Sequence, residues 1–554
     1  MTNSEIADHF SLLSKLMDIH GEDAFRAKNY SIAAYNIERL PAEVAEMDEA
    51  QLFATRGIGN STGSKIRELL ETGKLQALEE IMNRTPKGVL EMMQIKGLGP
   101  KKIALIWREM GIESVGELEY ACNENRLAQF KGFGAKTQES ILQSIAFIRL
   151  NQNYRLWAEV EGLANTLVSQ LSRVNPGKKF ELSGEVRRQM PTVEFIDMVT
   201  DADAATLQKQ FGVTQGVTTR LDGNILHVDA PNQPAIRLFL TDKDNFYQTL
   251  FVHSASQEFF TAFEAKYEML SAPASEEEIF SANKLPYIIP PLREKAAILE
   301  KAASNQLPQL VQPQDIKGII HSHSTWSDGA ETIEKMAKAA IEKGYEYLVI
   351  SDHSQSAYYA NGLTPERIAK QQAEVDALNM QLAPFRIFKS IEADILNDGR
   401  LDYNDNVLAT FDMVIASVHS NLKMTEEKAM ERVLAAIRNP YTTILGHPTG
   451  RLLLSREGYP LDHKLIIDEC VKHKVVIEIN AHPRRLDLDW QWISYAIEAG
   501  ALLSIDPDAH AVAGYHDVYY GVLAAQKGGL TKDRNLSSFS LKELEGYLAG
   551  LKKL

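Results

Sequence analysis

Histidines and carboxylates recur at the ends of apolar runs in the last third of the chain. His321-Ser-His323 follows Gly318–Ile320, Asp352-His353 follows Tyr347–Ile350, and Glu392 ends Ile387–Ile391. His419 follows Met413–Ala416, His447 follows Thr443–Leu445, and Asp508-Ala-His510 follows Leu502–Ile505. One histidine beyond a strand is an ordinary loop or core residue; six such coincidences among seven runs are not. Imidazole and carboxylate donors without thiolate suit Zn, Mn or Fe ions, and they are too many here for one ion. The expected cofactor is therefore a cluster of two or three divalent metals, with the water activation that such clusters support.

These donors must be brought together by the elements that carry them. The seven runs, with Val475–Ile479 as the sixth, alternate with amphipathic helical segments such as Thr332–Lys343. That is the rhythm of a parallel α/β barrel, in which strand C-termini converge on one pocket. Asp352, beside His353, is expected to orient a ligand. Arg451, Arg484 and Arg485 follow the fifth and sixth strands, where they could grip a phosphate. His463, His473, His482 and His516 read as ordinary histidines.

A second device lies in the first 150 residues, which read as helical in segments such as Ile6–Met17 and Leu75–Ile81. Three breaks share one form: Arg56-Gly57-Ile58-Gly59, Lys96-Gly97-Leu98-Gly99 and Lys131-Gly132-Phe133-Gly134. Each opens a helix with Lys65, Lys101 and Lys102, or Lys136 just inside it. Two glycines before a helix let backbone amides approach a phosphate closely, which requires no large positive charge.

Composition sets the outer limits. With 554 residues the chain should hold several domains, and its 44% hydrophobic and 24% charged residues are ordinary globular values. Against 59 Lys and Arg stand 74 Asp and Glu, a net charge of −15, so any polyanion must be held locally. Cys122 and Cys470 lie far apart, which argues against a disulfide framework and for a reducing compartment. No signal-like leader or membrane-length apolar run is evident, and a cytoplasmic monomer is expected.

The strand-end set resembles the PHP (polymerase and histidinol phosphatase) domain, through His321-Ser-His323, Ser327-Asp328-Gly329, Ser351-Asp352-His353-Ser354, Glu392, Ser417-Val-His419-Ser420, Gly446-His447-Pro448 and Asp508-Ala-His510. The resemblance implies a distorted (β/α)7 barrel, a trinuclear metal site and phosphoester hydrolysis. It implies as metal ligands His321, His323, Asp328, His353, Glu392, His419, His447, Asp508 and His510. Glu392 would be the bridge, and His321, His323 and Asp328 would share the catalytic centre with it.

The Gly-x-Gly turns resemble helix-hairpin-helix motifs, so Gly57, Gly59, Lys65, Gly97, Gly99, Lys101, Lys102, Gly132, Gly134 and Lys136 are candidate DNA-backbone contacts. Phe25-Arg26-Ala27-Lys28-Asn29-Tyr30 and Leu285-Pro286-Tyr287 through Arg293-Glu294 extend the likeness to bacterial family X DNA polymerases that end in a PHP domain. That implies a multidomain chain: a helical helix-hairpin-helix region, an α+β nucleotidyltransferase-like palm with a helical thumb, and the α/β (β/α)7 PHP barrel. The expected boundaries are 1–85 for a small DNA-binding domain, 86–175 for fingers, 176–240 for the palm, 241–300 for the thumb, 301–316 for a linker and 317–554 for the barrel.

The departures from that family bear on function. Nucleotidyl transfer needs an Asp-x-Asp and a third carboxylate on a neighbouring strand. Here Phe195 replaces the first Asp, Asp197 survives, and Ala235 replaces the third. Gly184-Glu185 stands where Gly-Ser should grip triphosphate, and His253-Ser254-Ala255 where the thumb has Thr-Gly-Ser. Arg187-Arg188 remain as possible phosphate contacts, and Lys65 sits where relatives carry a lyase lysine. The expected function is metal-dependent phosphodiester hydrolysis on DNA, a 3′-to-5′ exonuclease of DNA repair, with a polymerase-like half that binds single-stranded, gapped or primer-template DNA without synthesis. The rival readings are an active gap-filling polymerase, a DNA-binding scaffold and a small-molecule phosphatase.

Overall fold

The computed structural model describes residues 1–40, 42–55, 58–123, 126–151, 153–231 and 233–551. They fall into two compact units, Met1–Gln152 and Asn153–Leu554. The first unit is built of helices around an apolar core that includes Ile6, Phe10, Leu16, Ile66, Ile103 and Ile145. Its opening helix, Asn3–His20, starts at a capping box between Thr2 and Glu5 and stops at Gly21, whose φ of 67° suits a residue without Cβ. The expected helical segments at Ile6–Met17 and Leu75–Ile81 lie within or overlap the helices Asn3–His20 and Gln76–Asn83.

The second unit begins at Asn153, inside the 86–175 segment expected for the fingers: the helix Trp157–Val174 packs Val160, Ala164 and Leu171 into the core of the palm that follows. The palm sheet has strands β1 (Phe180–Leu182), β2 (Phe195–Thr200), β3 (Thr218–Asp222), β4 (Ile225–Asp229) and β5 (Ala235–Leu240), in the order β1-β2-β5-β4-β3. Strands β2 and β5 run parallel, with Phe195 paired to Ala235 and Asp197 to Arg237. Thumb helices Phe246–His253, Gln257–Lys266 and Glu276–Ala282 follow. Phe251, Phe259, Phe263 and Phe280 fill their core.

Seven parallel strands form the barrel: β6 (Gly318–Ser322), β7 (Tyr347–Ile350), β8 (Arg386–Asp394), β9 (Met413–Ser417), β10 (Ile444–Leu445), β11 (Val476–Asn480) and β12 (Leu503–Asp506), neighbours in chain order. Every expected run coincides with one of them. The edges meet where Ser322 bridges Ala509, so the sheet is nearly closed. Residues such as Leu348, Ile350, Ile391, Val414 and Ile477 are buried, because a sheet covered on both faces selects continuous apolar runs. The segment before β6 is stitched to the barrel: Val311 is fully buried, and its amide donates to Leu530 O at 2.9 Å.

Candidate metal centre

The barrel brings the strand-end residues into one pocket. Three of them leave their strands in the left-handed region, His321 at φ 62°, His447 at 22° and Asp508 at 52°. Such strain in residues with a Cβ collects where a side chain must be aimed at a site. Glu392, at 1% exposure, occupies the middle. Its carboxylate lies 2.9 Å from His353 Nδ1, 3.0 Å from both His419 Nε2 and His447 Nε2, and 3.4 Å from His321 Nε2.

Around it, three overlapping groups hold donor atoms within 4.8 Å of one another: His323, Asp328, His353 and His510; His321, His323 and Asp508; and His353, Glu392 and His419. Sharing of His323 and His353 places the groups side by side. Asp328 and His510 form the open rim, with side chains 32% and 42% exposed, while His321 and His323 are fully buried.

The electrostatics suit cations. Buried His323 Nδ1 and His447 Nδ1 make no hydrogen bond, which is costly for polar atoms unless an ion takes their lone pairs. Burial pushes Asp328 up, but its hydrogen bond to His510 and the neighbouring imidazoles bring it down to about 2. Burial also opposes ionisation of Glu392, yet His419, His321 and His353 hold it well below the usual carboxylate range. Burial and the charges of His510 and His353 take His323 down to about 3, leaving a neutral imidazole. The donor set fits divalent ions of the Zn, Mn or Fe type.

Second partners orient the donors. Asp394 accepts from His419 Nδ1 at 2.5 Å. Glu478 accepts from His321 Nδ1 at 2.6 Å, and its other oxygen accepts from the His447 amide at 3.1 Å and from Asn480 Nδ2 at 2.9 Å. Sequence reasoning missed both Asp394 and Glu478. Strand alternation could have found Asp394, two residues past Glu392 on the same face, and Glu478 on β11, the strand that ends in no predicted ligand.

Asp352 departs from expectation. It bonds no histidine but accepts from Ser324 N and Oγ, Ser327 Oγ and Gln371 Nε2 at 2.5–2.7 Å, fixing the loop that carries His323 and Asp328. Of the three arginines, Arg451 is tied to Asp489 and to the carbonyls of Arg485 and Leu486 in the loop after β11. Arg484 is 3.8 Å from Glu159, and Arg485 faces the centre with Nε 3.7 Å from Asp508 Oδ2. Arg187 and Arg188 are not free for DNA: Arg187 bonds Glu276 at 2.5 Å and Ser254 at 2.8 Å, and Arg188 bonds Glu294 at 2.8 Å.

The palm presents a different picture. Asp197, 4% exposed, is held by two hydrogen bonds of 2.7 Å from Arg237, whose guanidinium lies 3.9 Å over the Phe195 ring. His253 stacks on Phe239 at 3.6 Å, and Glu185 accepts from the Glu194 amide at 2.8 Å. The surviving carboxylate is thus neutralised by an arginine from the strand where the third Asp is expected.

In the first unit the Gly turns repeat structurally. Gly97 and Gly132 have φ of 90° and 99°, and Gly99 caps the helix Pro100–Arg108 as Gly59 caps Asn60–Thr72. Gly134 precedes Ala135–Asn151, and a Cβ at Gly59, Gly99 or Gly134 would meet no neighbour, so these turns are open to a ligand. Gly57 lies outside the described residues. Lys102 and Lys136 line one concavity of about 210 Å³ with Lys96, while Lys101 is exposed and Lys65 half-buried.

Comparison with known proteins agrees with this layout. Family models match at residues 1–75 (helix-hairpin-helix domain), 89–146 (SAM-like helix-hairpin-helix tandem) and 320–482 (PHP domain). The DNA polymerase/3'-5' exonuclease PolX of Bacillus subtilis is 33% identical over 99% of both chains. A probable phosphatase of Caldanaerobacter subterraneus is 30% identical over 29% of this chain and 60% of its own length. The probable phosphatase YcdX of Escherichia coli is 26% identical over 34% of this chain and 77% of its own. No helix among the described residues is long and apolar enough to cross a membrane. With helix-hairpin-helix turns, a palm and thumb, and a PHP barrel in one order and a full-length match, the chain belongs to the PolX family, bacterial family X DNA polymerases that end in a PHP domain.

Proposed function

We propose that this chain is a metal-dependent 3′-to-5′ exonuclease of DNA repair whose barrel performs the hydrolysis and whose polymerase-like half holds DNA without extending it. His321, His323, Asp328, His353, Glu392, His419, His447, Asp508 and His510 would hold two or three ions, with Glu392 between them. Ions bound there would supply Lewis acidity to a phosphoester and lower the pKa of attacking water. The protein's own share is orientation: Glu478 and Asp394 fix the His321 and His419 rings, Asp352 fixes the Ser324–Ser327 loop, and Arg485 offers a cation at the rim for a phosphate oxygen.

The observation that carries this reading is the contrast between the two sites. The barrel assembles a full donor set with unspent lone pairs, whereas Asp197, the one carboxylate left at the three positions where the palm should carry them, is consumed by Arg237. Two metals cannot be held by a single, already paired carboxylate. DNA is favoured over a small phosphomonoester by the open Gly turns, where helix N-termini and lysines can take backbone phosphates. The test is degradation of a 3′-labelled and a 5′-labelled strand in Mn²⁺ by the native chain and by a His321→Ala/His323→Ala variant. Metal-dependent shortening from the 3′ end, lost in the variant, is expected; undiminished shortening in the variant would overturn the assignment to the barrel.

A further inference from the structure

The segment after β12 carries more than metal ligands. Asp508 and His510 stand at its start, and at its end His516 is exposed while Tyr519 and Tyr520 are half-buried. His516 and Tyr519 stack, with centroids 5.8 Å apart and planes at 22°. Tyr519 and Tyr520 are 5.4 Å apart. Trp157, first residue of the palm helix Trp157–Val174, lies 6.4 Å from Tyr519 and 6.3 Å from Tyr520. Its indole N–H donates to Val186 O at 2.8 Å, which fixes the ring.

This row of rings joins the palm to the rim of the metal centre. Trp157 and Tyr520 share a small cleft with Pro483 and Leu486 of the loop that also carries Arg485, which reaches Asp508. Of the nearby carboxylates Glu161 and Glu159 are engaged, while Asp517, inside the segment itself, is half-buried, and burial together with Asp508 raises its carboxyl to about 6. Glu161 accepts from the Tyr519 hydroxyl at 2.8 Å, and Glu159 lies 3.8 Å from Arg484 and caps its own helix through the Leu156 amide at 3.2 Å. The patch therefore offers aromatic faces with polar edges and no surplus positive charge. A phosphate chain would not be drawn here by charge, but an unpaired base can be held by its π-face whatever its sequence.

We propose that His516, Tyr519, Tyr520 and Trp157 form a stacking platform for unpaired bases at the 3′ end of a DNA strand entering the barrel, a role that rests on the nuclease reading above. The platform selects frayed or single-stranded ends over fully paired ones, and its base-dependent share of binding varies little with salt.

Two measurements on the full chain test it. In EDTA, fluorescence anisotropy compares duplexes with a 3′ tail of thymidines or of abasic residues. The native chain should prefer thymidine tails by about 5- to 150-fold per stacked base. A His516→Ala/Tyr519→Leu variant should lose most of that preference. Equal binding of both tails by the native chain, or a preference that survives in the folded variant, overturns the proposal. Cross-linking of a 5-iodouracil tail to the native chain depends on no variant: adducts are expected on Trp157 or within 516–520, and adducts confined elsewhere count against the platform. Hydrolysis in Mn²⁺ separates the two claims. Tail preference without degradation retains the platform and removes the nuclease reading, whereas degradation with no tail preference does the reverse.

Discussion

Glu478 offers the sharpest probe of how the barrel prepares its donors. Replacement by Gln keeps the volume of a fully buried side chain, so the fold should survive, but it changes which atoms donate. If the amide oxygen stays with the His447 N–H and Asn480, the amide NH2 faces His321 Nδ1 and forces the ring proton onto Nε2. That is the atom facing Glu392 at 3.4 Å and Asp508 at 3.5 Å, and it would no longer offer a lone pair. If the amide flips, its NH2 meets two donors, and a buried hydrogen bond to an ionised acceptor, worth about 1.5–3 kcal/mol, is lost. Either way metal affinity should fall about 10- to 100-fold, the effect of removing a supporting partner of a ligating histidine, or about 1.4–2.7 kcal/mol. Competition against a chromogenic chelator measures the affinity, and strand degradation across a metal titration measures the consequence. Activity should be poor at limiting metal and recover at excess. Native metal affinity and native activity in Glu478→Gln would refute the positioning argument.

Three further outcomes follow from other parts of the chain. Arg237→Ala should leave primer extension absent, because Phe195 and Ala235 still supply no carboxylate, while stranding buried Asp197 at a cost of about 3 kcal/mol visible in urea melts. In the metal-stripped protein, burial alone would lower His419 and His510, but Glu392 and Asp394 lift the first to about 10, and Asp328 and Asp508 the second to about 9. Metal binding must therefore displace protons, and metal affinity should rise between pH 6 and pH 8, with proton release seen by calorimetry in buffers of different ionisation enthalpy. Lys527 is fully buried between Glu294 at 2.6 Å and Arg188 O at 2.9 Å, and burial takes it down to about 8. Its folded pKa is below the unfolded value, so the unfolded chain binds more protons between about pH 8 and 10.5, and stability should rise with pH across that window by about 3 kcal/mol relative to Lys527→Met. Paired urea melts at pH 7 and 10 check the difference.

The barrel was legible because its chemistry coincides with its periodicity: each apolar run is a buried parallel strand, and donors sit where such strands end. The Gly turns were legible because two glycines before a helix leave a local signature. Pairings across the fold were not. That Asp197 faces Arg237 depends on the register of β2 against β5, which no local pattern fixes. Arg187 and Arg188 looked like surface cations because their partners, Glu276 and Glu294, lie about a hundred residues away in the thumb. Asp352 sits next to the candidate donor His353 in sequence, yet alternation along the chain turns it toward Ser324 and Ser327 instead.

The division of labour between barrel and palm is open to a single gel. A 5′-labelled primer on gapped DNA is incubated with the native chain in Mn²⁺, with and without all four deoxynucleotides, beside the His321→Ala/His323→Ala variant. Shortened products in the native lanes, unchanged by nucleotides and absent from the variant, are expected. Nucleotide-dependent elongation by either protein would contradict the account.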